Sequence, residues 1–71
     1  MNAQPTEKEL FNEAQDVRTP ASRLAVLADE NCPYSVREAV ARNPSTEWPV
    51  LAYLLSAKFA EAVLSNPALP T

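Results

Sequence analysis

The segment VREAVARNP, residues 36–44, returns 23 positions later as FAEAVLSNP, residues 59–67. Both copies space their apolar residues as on one face of a helix, and both end in Asn-Pro. The residue before a proline disfavours the helical backbone region, so Asn43 and Asn66 each predict the end of a helix. We expect both asparagines to be structural, with the side chain satisfying backbone groups as in an Asx-turn.

A matching helix precedes each copy, at an offset of 27 residues. The aligned positions are Thr19, Leu24 and Leu27 in the first unit and Thr46, Leu51 and Leu54 in the second. A weaker echo places Thr6 and Phe11 on Thr19 and Leu24. The second unit lacks four residues in the loop that the first unit builds from residues 31–34. A period in the twenties made of paired short helices is typical of a solenoid.

Start and stop signals predict helices over about residues 7–17, 20–28 and 36–42, and a further helical segment that starts at Thr46 and extends to residue 64. The last segment is either one continuous helix or two helices bent near Ser56. Helix starts are predicted at two capping boxes, Thr6 with Glu9 and Ser35 with Glu38, and at two threonine N-caps, Thr19 and Thr46. The apolar face of the first helix is expected to contain Leu10, Phe11, Ala14 and Val17.

These residues resemble the repeat of the leucine-rich repeat variant proteins of bacteria. That repeat has a Thr-Pro start, a short helix with Leu, a loop with Asp and Pro, then Val-Arg-x-x-Val-Ala-x-Asn-Pro. The matching residues are Thr19-Pro20, Leu24, Leu27-Ala28-Asp29, Pro33, Val36-Arg37, Val40-Ala41 and Asn43-Pro44. The resemblance covers residues 19–67, although the second unit has Ala60 in place of the arginine and no Asp-Pro loop. It implies a right-handed superhelix of alternating helices.

The prediction is therefore an all-α fold, a short right-handed helical-repeat solenoid of four to five helices. Residues 6–67 form its single domain, divided into an N-terminal capping helix at 6–18, a first repeat at 19–44 and a shortened second repeat at 45–67. Residues 1–5 are predicted to be a disordered lead and residues 68–71 a tail. The described member of the resembled family carries a cysteine-rich iron–sulfur segment, which a chain with Cys32 alone does not reproduce.

The composition argues against an enzyme. The 71 residues include no histidine, the commonest general base and metal ligand, and no glycine for a phosphate-binding loop. The carboxylates of Glu7, Glu9, Glu13 and Asp16 are spaced as on an ordinary solvated helix face. The sequence thus predicts no catalytic residue, no metal ligand and no cofactor.

Charge and hydropathy guide the expected location and partners. A net charge of −3 argues against non-specific nucleic-acid binding, which needs a basic face. No stretch approaches the roughly 20 apolar residues of a membrane span. The first residues lack the charged and apolar regions of a signal peptide. We expect a cytoplasmic protein with no membrane partner.

A protein-interaction module is the leading functional hypothesis, because a solenoid unit cannot bury its apolar face alone. Self-association through the C-terminal apolar helices, most simply as a two-fold dimer, would cover the face that has no successor. The predicted interface residues are Trp48, Leu51, Tyr53, Leu55, Phe59 and Leu64. A polar recognition patch is predicted at Arg37, Glu38 and Arg42, with the ordinary solvated helix face as its alternative.

Two other functional classes stay open at this point. A helical repeat can hold nucleic acid on a basic surface, and the candidate residues are Arg18, Arg23, Arg37 and Arg42. The chain can also be a small inhibitor or immunity-type protein that blocks a larger partner. Either class would use the same helical scaffold, so the fold alone does not separate them.

Overall fold

The computed structural model describes residues 5–67, which form five α-helices and contain no strand. The helices are α1 (Glu7–Gln15), α2 (Ala21–Leu27), α3 (Tyr34–Arg42), α4 (Trp48–Ser56) and α5 (Ala60–Leu64). The predicted all-helical class is confirmed. The predicted tail at 68–71, and the predicted lead apart from Pro5, lie outside the described residues.

The capping box at the start of α1 is confirmed. The backbone N–H of Glu9 donates to the Thr6 hydroxyl at 3.1 Å, and the Thr6 N–H donates to the Glu9 carboxylate at 2.9 Å. The predicted end of this helix at Val17 is wrong, because the backbone of Asp16 is already extended. The side chain of Val17 is 58% exposed and lies outside the expected apolar face.

The other predicted N-caps are wrong. The residues that cap α2, α3 and α4 are Pro20, Pro33 and Glu47, and none uses its side chain. Ser35 lies inside α3, where its hydroxyl donates to the carboxylate of Glu7 at 2.6 Å. The hydroxyls of Thr19 and Thr46 donate to carbonyls of the preceding helix, and each threonine stands one residue before the N-cap of the following helix.

The segment after Leu54 forms two helices. Lys58 adopts a left-handed backbone with φ of 77°, and the N–H of Phe59 donates back to the Leu54 carbonyl at 3.0 Å. This six-residue closure is a Schellman motif, which usually has glycine at the left-handed position. In a chain without glycine, a lysine takes that position and separates α4 from α5.

The core surrounds α3, which packs against all four other helices. The core residues with larger side chains that lie below 4% exposure are Leu24, Leu27, Val36, Val40, Leu51, Leu54, Phe59 and Val63. Helical spacing predicted most of them, since they repeat at three- and four-residue intervals. The central position of α3 explains why its own buried residues include small ones, Ala39 and Ala41, where neighbouring helices approach closely.

Candidate functional site

The Asn43 side chain joins the end of α3 to the end of α1. Its Nδ2 donates to the carbonyls of Ala14 at 2.8 Å and Asp16 at 2.9 Å, and its Oδ1 accepts from the N–H of Ser45 at 2.8 Å. The side chain is buried. The predicted structural role of Asn43, with an Asx-turn, is confirmed.

Asn66 repeats this arrangement one step further along the chain. Its Nδ2 donates to the carbonyls of Ala41 and Asn43, both at 2.8 Å, and the residue is also buried. In both cases the acceptors lie at the end of the helix two places earlier in the chain, α1 for Asn43 and α3 for Asn66: the residue just after that helix and the residue two positions before it. We call this series of bonds the asparagine ladder. It ties the ends of α1, α3 and α5 together in chain order.

Asp16 occupies the first position of the ladder. Its backbone conformation, φ −78° and ψ 120°, matches that of Asn43 at φ −78° and ψ 123°. Its Oδ1 accepts from the N–H of Arg18 at 2.9 Å, as the amide oxygen of Asn43 does from Ser45. An ionised carboxylate has no N–H to donate, however. Hydrogen bonds from the Arg18 guanidinium and N–H lower the pKa of the Asp16 carboxyl group.

Two buried threonines add a second repeated link. The Thr19 hydroxyl donates to the Glu13 carbonyl, and the Thr46 hydroxyl donates to the Val40 carbonyl, each at 2.7 Å. Each bond gives a carbonyl in the last turn of α1 or α3 a second donor, beside the backbone N–H of Asp16 or Asn43 that caps the helix. The 27-residue offset seen in the sequence therefore has a physical cause at these two positions.

The structure divides the six predicted interface residues into two groups. Four have exposed side chains: Trp48 at 51%, Tyr53 at 44%, Leu55 at 39% and Leu64 at 70%. The predictions for Leu51 and Phe59 are wrong, because both side chains are buried in the core.

Phe59 is held in place by α3. Its ring lies 4.7 Å, centroid to centroid, from the Tyr34 ring, and 5.2 Å beneath the Arg37 guanidinium carbon. These contacts account for its burial, and they connect α3 with the start of α5.

The exposed residues of α4 lie on two different stripes. Trp48 and Leu55 are seven positions apart, two helical turns, and share one stripe. Tyr53 projects to another side, where it lines an open groove of about 500 Å³ between α2 and α4. The groove also has Asp29 and Glu30 in its lining. The groove was not predicted, because nothing in the sequence indicates that the loop after α2 lies beside α4.

The two exposed leucines occupy positions at which earlier helices have buried alanines. Leu55 corresponds to Ala28 at the 27-residue offset, and Ala28 is 2% exposed. Leu64 corresponds to Ala41 at the 23-residue offset, and through it to Ala14; both alanines are fully buried. Leucine in the last unit, at positions where the earlier units have alanine, is the sequence signal from which the exposure of Leu55 and Leu64 could have been predicted.

The predicted polar patch is divided as well. Arg42 and Glu38 form an ion pair at 3.7 Å with both side chains partly exposed. Arg37 instead directs its Nε to the Cys32 carbonyl at 3.1 Å and covers Phe59. The predicted recognition patch is thus reduced to a Glu38–Arg42 pair, while Arg37 supports the packing of α3.

The other two arginines proposed for nucleic acid are also engaged. Arg18 pairs with Asp16 at 3.1 Å, and Arg23 pairs with Glu13 at 2.7 Å. The hydrogen bond from Arg23 lowers the pKa of the Glu13 carboxyl group and raises that of the guanidinium. Acidic partners therefore offset the charge that Arg18, Arg23 and Arg42 would offer to phosphate.

The acidic residues of α1 have structural partners too. Glu7 accepts from Ser35, Glu9 completes the capping box, and Glu13 pairs with Arg23. Within residues 5–67, no group of three or more acidic or cysteine side chains converges so as to hold a metal ion. No helix in that part of the chain has the length and apolar character to cross a bilayer.

No protein-family model, curated protein or solved structure matches this chain. The resemblance to the leucine-rich repeat variant proteins accordingly stays a prediction.

Proposed function

We propose that this chain is a small non-enzymatic protein-interaction module of the helical-repeat type, which self-associates through its C-terminal end. The observation that carries the proposal is the exposure of Leu55 and Leu64 at positions where the earlier helices bury alanine. A solenoid of the leucine-rich repeat variant kind, right-handed, is the proposed architecture. A cytoplasmic location is part of the proposal and is consistent with Cys32 as a free thiol.

The asparagine ladder supports a repeat architecture. In a solenoid each unit contacts its neighbours through the same interface, so the same bonds recur along the chain. Asn43 and Asn66 each reach back to equivalent carbonyls of the preceding unit. The ladder thus joins α1 of the capping segment to α3 of the first repeat, and α3 to α5 of the second repeat.

The surface formed by Trp48, Leu55 and Leu64, which we call the C-terminal surface, lies where a further unit would pack. At the positions that correspond to Leu55 and Leu64, earlier units have the buried alanines Ala28, Ala41 and Ala14. Terminal units of solenoids normally present polar outer faces. Burial of an exposed leucine contributes about 2 kcal/mol, and tryptophan is enriched in protein interfaces. This surface therefore favours association.

A second copy of the chain fits the C-terminal surface in one orientation. Continuing the ladder head to tail would place the Asp16 carboxylate where Asn43 and Asn66 present an amide. Carboxylate and carbonyl oxygens are all acceptors, so that contact is repulsive. A tail-to-tail arrangement avoids it, and it places apolar side chains of one copy against those of the other. The proposed assembly is a two-fold dimer with isologous C-terminal surfaces.

Neither alternative class has a specific observation in its favour. Three of the four arginines considered for nucleic acid are paired with carboxylates, and the fourth binds a carbonyl. An inhibitor or immunity-type protein would use an exposed surface of the same kind for a different partner. Such a protein would stay monomeric by itself, which separates it from the proposed dimer.

The test is sedimentation equilibrium of the 71-residue chain from micromolar to millimolar concentration, with circular dichroism as the check of folding. We expect a monomer–dimer equilibrium that Leu64→Glu weakens at least about tenfold, since one buried leucine exceeds 1.4 kcal/mol. Val17→Glu is the matched control, because Val17 is similarly exposed but lies at the other end of the ladder. If Leu64→Glu impairs folding, Leu64→Ser replaces it. A wild-type monomer throughout, or equal loss in Val17→Glu, overturns the proposal.

A further inference from the structure

The groove between α2 and α4 has an apolar floor that is open to solvent. Ala25 and Ala28 from α2 and its end, and Val50 from α4, form this floor, with Pro49 beside it. The Tyr53 ring stands at the wall with 44% of the residue exposed. At about 500 Å³ the groove has room for a side chain together with its flanking backbone.

Two carboxylates complete the lining of this groove. Asp29 and Glu30 are both exposed, and neither forms an ion pair with another side chain within residues 5–67. Asp29 uses one oxygen to accept the N–H of Asn31 at 2.8 Å, which fixes its position in the loop. The groove therefore combines an apolar floor, a half-exposed phenol ring and uncompensated negative charge.

Among the described residues, no arginine or lysine lines the groove. The chain's four arginines, Arg18, Arg23, Arg37 and Arg42, are each bound to a carboxylate or carbonyl elsewhere. A cation with a flat, weakly hydrated surface would complement both the carboxylates and the aromatic ring of this groove. A guanidinium group meets this description better than an ammonium group, because it stacks on aromatic rings and binds carboxylate with two N–H donors.

We propose that the groove between α2 and α4 binds an arginine-bearing peptide segment of a partner protein. The guanidinium stacks on Tyr53 and donates to Asp29 or Glu30, while an apolar neighbour of the arginine contacts Ala25, Ala28 and Val50. Charge complementarity selects this occupant over an acidic segment. The site goes beyond the proposed dimer, since Tyr53 and the C-terminal surface lie on different sides of α4.

The test uses the full chain labelled with ¹⁵N and two short probes, acetyl-Leu-Arg-Leu-amide and acetyl-Leu-Glu-Leu-amide. We expect saturable chemical-shift changes with the arginine peptide, centred on residues 25–30 and 49–53, and none with the glutamate peptide. A third probe, acetyl-Leu-Lys-Leu-amide, should bind more weakly than the arginine peptide.

Variants locate the binding. Asp29→Asn combined with Glu30→Gln should weaken binding about threefold or more, because it removes both carboxylates and each exposed ion pair contributes up to about 1 kcal/mol. Glu61→Gln, which removes an exposed carboxylate of α5, is the control and should leave binding unchanged. Leu64→Glu should also bind normally, so failure of the dimer and failure of this site are distinguishable. Equal shifts with the arginine and glutamate peptides, or shifts centred elsewhere, overturn the proposal.

Discussion

The two ends of the asparagine ladder differ in chemistry. At the N-terminal end, Asp16 occupies the asparagine position and is paired with Arg18, while Glu13 is paired with Arg23. At the C-terminal end, Asn66 completes the ladder and the exposed side chains of Leu55 and Leu64 stand where earlier units have buried alanines. One end is charged and internally paired, and the other is apolar and open.

This difference shows that the same backbone arrangement can hold a side chain that donates to an earlier helix end or one that cannot. Aspartate and asparagine have nearly the same shape, and Asp16 and Asn43 share a backbone conformation and an Asx-turn. Only the amide can donate to the carbonyls of a preceding unit. An amide nitrogen at this position allows hydrogen bonds to an earlier helix end, and a carboxylate oxygen does not.

The largest expected effect comes from breaking the ladder between its two ends. Asn43→Ala leaves the buried Ala14 carbonyl without its side-chain donor and the Ser45 N–H without its acceptor, while the Asp16 carbonyl keeps only the N–H of Thr19. We expect a loss of about 3 kcal/mol in the free energy of unfolding, because each stranded buried group costs about 1–3 kcal/mol. Urea denaturation measures this loss.

Asn12→Ala is the matched control for that experiment, since Asn12 is an exposed residue of α1. An exposed substitution in a helix should change the free energy of unfolding by less than about 0.5 kcal/mol. If Asn43→Ala is as stable as Asn12→Ala, the ladder does not hold the units together.

A smaller effect, of opposite sign, is expected at the C-terminal end. Lys58→Gly removes the strain of a left-handed backbone, φ 77°, from a residue with a side chain. We expect a gain of up to about 1 kcal/mol in the free energy of unfolding, since glycine takes this conformation without a Cβ clash. Thermal denaturation at fixed protein concentration measures it. Lys58→Ala separates loss of the charge from relief of strain, and should give no comparable gain.

The smallest effect is a pH dependence confined to the N-terminal end. The Arg23 hydrogen bond lowers the pKa of Glu13 in the folded state, so the pair stabilises the fold above the ordinary glutamate pKa. That contribution disappears as the pH falls through the lowered pKa. Both side chains are about one-third or more exposed, which limits the pair to a few tenths of a kcal/mol.

Glu13→Gln measures that contribution. The variant should be slightly less stable than the wild type at pH 7 and equal to it near pH 2, in parallel denaturation curves. Glu61→Gln, at an exposed carboxylate of α5, should show no such convergence. A stability difference for Glu13→Gln that persists unchanged to pH 2 would mean that the pair does not act through charge.

Much of the helical scaffold could be predicted from the sequence. Periodic leucine and valine spacing located the core, and the Asn-Pro dipeptides marked the ends of α3 and α5. The 27-residue offset correctly aligned Thr19 with Thr46, although not their role. A threonine hydroxyl can cap the helix that follows or bind the helix that precedes, and sequence alone does not choose between the two.

The surfaces were harder to predict, for reasons of geometry. Leu51 and Phe59 are as apolar as Leu55 and Leu64, and only the packing of α3 against α4 and α5 decides which pair is buried. The groove between α2 and α4 joins residues more than twenty positions apart, so no local pattern signals it. The break at Lys58 was ambiguous because its usual marker, glycine, is absent.

The most direct test of the central claim measures which ends meet in the dimer. In a Cys32→Ala background, a spin label is attached either at Ser65→Cys, beside the C-terminal surface, or at Asn12→Cys on α1; both positions are exposed. Dipolar spectroscopy then gives the distance between the two labels of one dimer. A tail-to-tail dimer predicts a short distance at residue 65 and a much longer one at residue 12. A shorter distance at residue 12, or no intermolecular coupling at residue 65, would contradict the account.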